Sequence, residues 1–247
     1  MASSTSPVVA ALADLRTALD ELGLRWFVFG AQAAILYGST RLTADVDVTV
    51  ELGDLPPRRL VQAAKRRGFA AQIPSPDFIA VTRVIPLVHV TTRLPVDIVL
   101  AGPGLEDLFL ERANTLRVGG TRIPVASVED LIVMKVLAGR PKDMEDIDAI
   151  LSASRELDVA QIRNTLALAE SALDQSDLSA AFESRLGRHR LAKRRAKKTT
   201  KTTPTTKRAT PSKPTAGSNS KLAPAKRSER AKAKRVTKRA GAKGSKR

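Results

Sequence analysis

The chain has 247 residues, of which 42 are Lys or Arg, 25 are Asp or Glu, two are His and none is Cys, so its formal net charge is +17. The absence of Cys excludes disulfide bonds and thiolate metal ligands. The longest nearly apolar run, from Trp26 to Gly38, is interrupted by Gln32 and is shorter than the roughly 20 residues of a membrane span. No basic region precedes the first apolar stretch, so we expect no signal peptide and a cytoplasmic protein that has no membrane partner.

The first part of the chain predicts helices and strands in alternation. Apolar residues at helical spacing indicate a helix from Pro7 to Leu22, which ends at Gly23. The following patterns predict a strand over 25–30, a short helix over 31–37, a strand over 45–51, a helix over 56–67, and strands over 79–90 and 94–100.

The next part of the chain is mostly helical. A helix near 105–113 and an extended segment at 121–125 precede Ser127-Val-Glu-Asp130, a capping box that opens a helix ending at Gly139. Further helices are predicted over 141–151 and, as a pair, over 158–187. The order indicates a mixed α/β (α+β) domain at 1–152 and a helical extension at 153–187.

Residues 188–247 carry most of the positive charge. This segment contains 23 Lys and Arg and a single acid, Glu229, and it has no aromatic residue. Such a composition predicts a disordered tail. Runs such as KRRAKK and AKAKRVTKRA resemble the C-terminal tails of linker histones. We expect the tail to bind nucleic acid through phosphate contacts, which also allows association with the nucleoid. The alternative is a solvated tail that only aids solubility.

Two acids stand on one side of the strand predicted at 45–51. Asp45 and Asp47 are two residues apart and so project together, while Val46, Val48 and Val50 form the opposite, core-facing side. Two carboxylates on one face repel each other unless a cation or proton intervenes, and oxygen ligands suit Mg²⁺ or Mn²⁺. The alternative is a solvated outer face of an edge strand.

Neighbouring residues favour a phosphate-binding site. The strand that ends at Gly30 leads directly into a helix, whose first free amides at Gly30 and Ala31 can hold a phosphate. Arg41 offers a guanidinium and Thr43 a hydroxyl. Further along, Asp97 lies inside an otherwise apolar strand, where an unpartnered charge is costly.

The block from Gly30 to Asp47, which contains Arg41-Leu-Thr-Ala-Asp-Val-Asp47, together with the later strand acid, resembles the DNA polymerase β-like nucleotidyltransferase superfamily. Within it, the sequence is most similar to AbiEii-type and MenT-like proteins, many of which are toxins of toxin–antitoxin pairs. The resemblance extends to Pro124-Val-Ala-Ser-Val-Glu-Asp-Leu-Ile-Val-Met-Lys135 and to Ala138-Gly-Arg-Pro-Lys-Asp143-Met-Glu-Asp146. It covers roughly residues 9–152 and implies a nucleotidyltransferase-fold mixed sheet flanked by helices.

The resemblance also implies a mechanism. Asp45 and Asp47 would hold a metal ion that bridges the phosphates of an NTP, and Asp97 would share a second metal and help to deprotonate the acceptor hydroxyl. Gly30, Ala31, Arg41 and Thr43 would bind the nucleotide. Ala31 departs from the Gly-Ser or Gly-Gly of many relatives and offers no hydroxyl to the phosphates.

The resemblance assigns Lys135 to a phosphate or metal site, whereas spacing alone is equally compatible with a surface lysine that extends its amine to solvent. Lys142 and Asp143 are candidates for the rim of the site. Together with Arg140 and Asp146 they are also compatible with helix-end salt bridges on the surface.

Two functions follow from these readings. The first is a Mg²⁺- or Mn²⁺-dependent nucleotidyltransferase that transfers a nucleotide to a nucleic acid, such as a tRNA 3′ end, or to a protein; it could be part of a toxin–antitoxin pair, with a cognate antitoxin as partner. The second is a catalytically silent protein of the same fold that binds DNA or RNA through its tail.

Overall fold

The computed structural model describes residues 6–75, 77–154 and 156–200. The strands of this part are β1 (Trp26–Phe29), β2 (Val46–Val50), β3 (Phe69–Ala71), β4 (Val84–His89), β5 (Leu94–Leu100), β6 (Asn114–Val118) and β7 (Thr121–Val125). Its helices are α1 (Pro7–Asp20), α2 (Gly30–Leu36), α3 (Pro57–Arg66), α4 (Phe78–Thr82), α5 (Leu105–Arg112), α6 (Val128–Ala138), α7 (Pro141–Ala153), α8 (Val159–Leu173) and α9 (Leu178–Thr200). None of these described helices combines the length and the apolar character that crossing a membrane requires.

The strands form one mixed sheet in the order β3-β4-β5-β2-β1-β7-β6. Near its centre, β2 is antiparallel to β1 and parallel to β5, and β1 is parallel to β7. The outer pairs β3–β4, β4–β5 and β6–β7 are antiparallel. This mixed sheet with flanking helices confirms the fold class predicted from the sequence.

The core face of β2 follows the predicted alternation. Val46, Val48 and Val50 are completely buried, while Asp47 between them projects to the other side and is only partly buried. The sheet therefore presents Asp47 on the face opposite the valines, as the period of two requires.

The C-terminal helices pack next to the first short helix. α6 contacts α7, α8 and α9, and both α6 and α7 contact α2, which follows β1 directly. At the start of α6 the Ser127 side chain accepts a hydrogen bond from the Asp130 amide, and Gly139 ends the helix in the left-handed conformation. This cap and stop agree with the sequence prediction, and the packing places α6 and α7 beside the turn from β1 into α2.

The structure divides the segment predicted as one strand over 79–90. Residues Phe78–Thr82 form α4, and only Val84–His89 form a strand. Between them Arg83 adopts a left-handed conformation with φ of 55°, which turns the chain. Short apolar runs fit a helix turn or a strand equally well, so the pattern alone did not separate the two. The short strands β3 and β6 were not predicted.

The structure also corrects the predicted start of the disordered tail. Because α9 runs to Thr200, residues 188–200 are helical. Leu178, Phe182 and Leu186 are buried at intervals of four residues and anchor the first half of the helix. The Arg, Lys, Leu and Ala residues that follow have high helix propensity, so the helix continues beyond its packed part. The rest of the predicted tail, 201–247, lies outside the described residues.

Candidate functional site

The register of the sheet brings two of the predicted acids side by side. β2 pairs in parallel with β5, and Asp47 is the register partner of Asp97. Adjacent strands lie about 4.7–4.9 Å apart, so the two side chains leave neighbouring positions on one face. Asp45 lies immediately before β2, and its charge acts on both of the other acids. We refer to Asp45, Asp47 and Asp97 as the acidic side of the site.

Gly30 lies against the Asp47 carboxylate. Phe29, which precedes it, is the register partner of Asp47 across β1 and β2. Gly30 has φ of 67°, and a Cβ at this position would overlap the Asp47 carboxylate. Both the conformation and the available space therefore require glycine where β1 turns into α2.

A cavity of about 270 Å³ opens beside this turn. Nine of the ten predicted site residues line it, and only Asp97 does not. Those nine are Gly30, Ala31, Arg41, Thr43, Asp45, Asp47, Lys135, Lys142 and Asp143. The apolar part of the lining comes from Phe29 and from Leu131, Met134 and Ala138 of α6. The lining thus combines acids at β2, cations of the loop and helices that face them, and apolar side chains.

The acidic side holds its charges at an electrostatic cost. Burial, followed by repulsion from Asp45 and Asp97, raises the pKa of Asp47 to about 6, although Lys135 and Arg140 partly offset this. Burial and then the charge of Asp45 also raise the pKa of Asp97. These carboxylates lack a neighbouring cation strong enough to compensate them, so the acidic side favours protons or added cations.

The cationic side consists of Arg41, Lys135 and Arg140 with the two carboxylates of Asp143 and Asp146. Lys135 Nζ lies 2.7 Å from Asp146 Oδ2 and 3.3 Å from Asp143 Oδ1. Arg140 Nε donates to Asp143 Oδ2 at 2.5 Å, and Arg41 Nη2 lies 3.4 Å from Asp146 Oδ2. The network links the start of α7 to α6 and to the loop that precedes β2.

The acids of this network have pKa shifts opposite to that of Asp47. Burial alone would raise the pKa of Asp143, but the hydrogen bond from Arg140 and the charges of Lys135 and Arg140 outweigh it and lower that pKa. Burial would likewise raise the pKa of Asp146, and the hydrogen bonds from Lys135 and Ser39 reverse the direction. Both carboxylates are therefore held in the ionised form.

This network corrects two of the open readings. Lys135 is 3% exposed, and Asp143 and Asp146 are each 1% exposed. Lys135 is therefore not a surface lysine that extends to solvent, and its bridges to the two acids are buried, although the Arg140 partner of Asp143 is exposed. Lys142 is exposed and lines the cavity, which places it at the rim.

The loop over 39–45 connects the two sides. At its start the Ser39 hydroxyl donates to Asp146 Oδ1 at 2.8 Å, and Arg41 contacts the same carboxylate. At its end the Thr43 hydroxyl donates to the Asp45 carboxylate. The loop thus fixes Arg41 on the cationic side and Asp45 on the acidic side.

The donor chemistry of the acidic side fits a hard divalent cation, because its ligands are carboxylate oxygens whose mutual repulsion such an ion would relieve. In the described part of the chain, however, no three His, Asp or Glu side chains lie close enough together to hold one metal ion. Asp45 is directed to Thr43. Asp47 and Asp97 are adjacent, so a rotation of the Asp45 side chain is the rearrangement that a shared ion would require.

The sequence interpretation did not include Ser39, Arg140 or Asp146 among the site residues. Asp143 and Asp146 are separated by three residues on a helix that begins at Pro141, so both face the same way. That spacing was the available signal. It did not show that Lys135, on the preceding helix, would be enclosed by the pair.

A comparison with solved structures gives matches of low similarity. An antigenic nucleotidyltransferase-like protein from Paracoccidioides brasiliensis is 18% identical with a TM-score of 0.45, and the match covers 72% of this chain and 91% of that one. The antibiotic-resistance factor ANT(2″)-Ia in solution is 15% identical with a TM-score of 0.39, covering 75% and 96%. ANT(2″)-Ia in complex with adenylyl-2″-tobramycin is 16% identical with a TM-score of 0.39, covering 70% and 95%. These values are too low to transfer substrate or site residues to this chain.

No curated protein sequence matches the chain significantly. A family model described as "Nucleotidyltransferase of unknown function (DUF6036)" matches residues 7–185. That span contains the whole sheet and both sides of the cavity. The chain therefore belongs to this nucleotidyltransferase family.

Proposed function

We propose that the protein is a Mg²⁺- or Mn²⁺-dependent nucleotidyltransferase that transfers a nucleotide from an NTP to a hydroxyl group of an acceptor. The observation that carries the proposal is the placement of Asp47 beside Asp97 on one sheet face, next to a cavity that four cationic side chains line. Binding of an NTP requires cationic side chains that contact its phosphates and carboxylates that hold the metal ion. The two sides of this cavity supply both.

In the proposed reaction the acceptor oxygen forms a bond to the α-phosphorus while the bond from this phosphorus to the bridging oxygen breaks and pyrophosphate leaves. The raised pKa of Asp97 suits a carboxylate that accepts the proton of the attacking hydroxyl. Asp45 and Asp47 would hold the metal ion. When bound, that ion supplies neutralisation of charge on the phosphate oxygens.

The cationic side would orient the phosphates. Lys142 and Arg140 are the exposed cations of the cavity and Arg41 is half-buried, whereas Lys135 is fixed by Asp143 and Asp146. We assign phosphate contact to Arg41, Lys142 and the backbone amides of Gly30 and Ala31, and a fixed positive potential to Lys135. Thr43 would orient Asp45 through its hydroxyl.

The test uses labelled NTPs, Mg²⁺ and total RNA with the purified full chain, and measures label in RNA and in protein. We expect Asp45→Asn to lower labelling by at least about 100-fold, because a metal ligand is worth several kcal/mol in the transition state. Asp54→Asn is the matched control, since Asp54 is an exposed acid in the turn after β2. Labelling by Asp45→Asn at the rate of the control would exclude the metal-site assignment.

For the acceptor we propose a nucleic acid, such as a tRNA 3′ end, bound with the help of the basic segment 188–247; a protein acceptor is the other outcome that the labelling assay distinguishes. The sequence resemblance to AbiEii-type and MenT-like proteins supports a role in a toxin–antitoxin pair with a cognate antitoxin. Toxicity on expression, relieved by the product of an adjacent gene, is the corresponding test.

A second function is favoured by Ala31, which lines the cavity without offering a hydroxyl to a phosphate. In this case the protein is a silent member of the family that binds DNA or RNA through its basic segment. Calorimetry separates the two, because the enzyme should bind Mg²⁺-NTP with heat that Asp45→Asn removes. The silent protein should show no such heat and still bind nucleic acid.

A further inference from the structure

The second half of α9 is an exposed basic helix that lies outside the cavity and takes no part in the proposed phosphoryl transfer. Leu186 is its last buried residue among those described. From 187 to 195 every residue is exposed except His189, which is half-buried, and Leu191 is 60% exposed. This half of the helix is therefore largely exposed, although His189, Arg190 and Lys193 line a shallow cavity with residues of the rest of the domain.

The charge of this segment is of one sign. Residues 184–200 contain eight Lys and Arg and no acid. Arg185 is paired with Asp148 of α7, whereas no carboxylate of the described residues forms an ion pair with Lys193 or Arg194. Arg190 already interacts electrostatically with Glu183, so the uncompensated charge begins at Lys193.

Three of these cations lie on one face. Arg190, Lys193 and Arg194 are spaced at i, i+3 and i+4, which places their Cβ atoms about 5–6 Å apart on the helix surface. Like charges at this spacing repel and weaken the helix, and a row of external anions would remove the repulsion.

We propose that the face of α9 formed by Arg190, Lys193 and Arg194 binds the phosphate backbone of a double-helical nucleic acid. α9 has no Phe, Tyr or Trp after Phe182, and its one imidazole there, His189, is half-buried, so stacking on single-stranded bases has little support. Leu191 is its single large apolar residue among the exposed ones of 187–195, so the helix lacks the apolar face of a membrane-surface helix. Charge complementarity without stacking or an apolar face fits a duplex backbone.

This inference deepens the proposed function, and the acceptor role of the nucleic acid rests on that function. α9 packs on α6, which carries Lys135, and on α7, which carries Asp143 and Asp146 and follows Arg140 directly. A duplex held on the exposed half of α9 is therefore attached to the element that forms the cationic side of the cavity.

The experiment measures binding of a fluorescent 20-base-pair duplex to the full chain by anisotropy over a series of salt concentrations. The test variant is Arg190→Gln/Lys193→Gln/Arg194→Gln, in which Gln keeps the helix propensity. The control is Arg58→Gln/Arg59→Gln/Lys65→Gln, which removes the same charge from exposed positions of α3. Matching far-ultraviolet circular dichroism would show that both variants are folded.

We expect the α9 variant to weaken duplex binding at least tenfold and to reduce the slope of log K against log salt by up to about 2.7, with little change in the control. Equal weakening by the control would overturn the proposal, since net charge alone would explain binding. Unchanged binding by the α9 variant would overturn it as well and assign the affinity to 201–247. Tighter binding to a single strand or to anionic phosphatidylserine vesicles than to the duplex would contradict the proposal that the ligand is a double-helical nucleic acid.

The same variants separate this inference from the proposed function. The α9 variant should keep the calorimetric Mg²⁺-NTP binding of the unmodified chain, whereas Asp45→Asn should lose it and keep duplex binding. If the unmodified chain does not bind Mg²⁺-NTP but still binds the duplex through α9, the proposed enzymatic function is refuted and the duplex-binding surface stands.

Discussion

The two sides of the cavity use the same residue type in opposite electrostatic states. On the acidic side, burial and the neighbouring carboxylates raise the pKa of Asp47 to about 6. On the cationic side, burial acts in the same direction on Asp143 and Asp146, yet the Lys and Arg partners lower both pKa values. The difference comes from partners rather than from burial.

This difference indicates which side is incomplete. The carboxylates of the cationic side already have two or more partners each, at 2.5–3.5 Å. Asp47 has two like-charged neighbours instead. A buried acid without a cation is costly, so the acidic side is the part of the molecule at which an added cation has the most to contribute.

The largest expected effect on stability comes from disrupting the cationic side, whose carboxylates already have partners. Asp146→Ala removes the acceptor of Lys135, Ser39 and Arg41 and leaves a buried ammonium with one partner. We expect the free energy of unfolding to fall by about 3–5 kcal/mol. Urea denaturation followed by circular dichroism measures it.

The control for this change lies two residues further along the same helix. Asp148 is about half exposed and pairs with Arg185. Asp148→Ala should cost no more than about 1 kcal/mol, because exposed pairs are weak. Equal losses for the two variants would show that the enclosure of Lys135 does not stabilise the domain.

Much of the acidic side could be predicted from the sequence. The alternation over 45–51 separates Asp47 from three buried valines, and the glycine before the short helix marks the turn beside it. Both are local patterns. The parallel pairing that places Asp97 next to Asp47 joins strands that are about 50 residues apart in the sequence. The sequence could therefore identify Asp97 as a candidate, but it could not predict which residue of β2 lies beside it.

The cationic side was less predictable, because its character depends on contacts between helices. Lys135 has apolar neighbours along α6, which fits either an exposed or an enclosed amine. Only the packing of α7 on α6 decides that it meets Asp143 and Asp146. The helix at 188–200 was missed for a related reason. Its composition is typical of a disordered segment, and the buried residues that hold α9 on the domain, Leu178, Phe182 and Leu186, all precede it.

On the acidic side we expect a smaller change in stability, of opposite sign. Above pH 6 the folded protein holds Asp47 ionised at a cost, and between about pH 4 and pH 6 it binds more protons there than the unfolded chain does. Stability should therefore fall as the pH rises through this interval. Asp47→Asn removes the charge and should stabilise the metal-free protein at pH 8 by roughly 2–3 kcal/mol, with the gain disappearing near pH 4.

Thermal denaturation at several pH values in EDTA measures this gain, and Asp54→Asn is again the exposed control. Addition of Mg²⁺ should raise the melting temperature of the unmodified chain and have less effect on Asp47→Asn. A destabilised Asp47→Asn at pH 8 would contradict the view that the acidic side lacks a cation.

The smallest effect concerns the glycine that lies against Asp47. Gly30 and Gly53 both have positive φ, but a Cβ at 30 would overlap the Asp47 carboxylate while a Cβ at 53 meets nothing within 4 Å. Alanine at either position incurs the left-handed penalty of about 1–2 kcal/mol, so Gly30→Ala should be less stable than Gly53→Ala by a further 1–2 kcal/mol or so. Displacement of Asp47 toward solvent should also flatten the fall in stability between pH 4 and pH 6 in Gly30→Ala alone. Equal stabilities and equal pH profiles for the two variants would mean that the contact between Gly30 and Asp47 does not hold the carboxylate in its buried position, and the contrast between the two sides of the cavity would lose its structural cause.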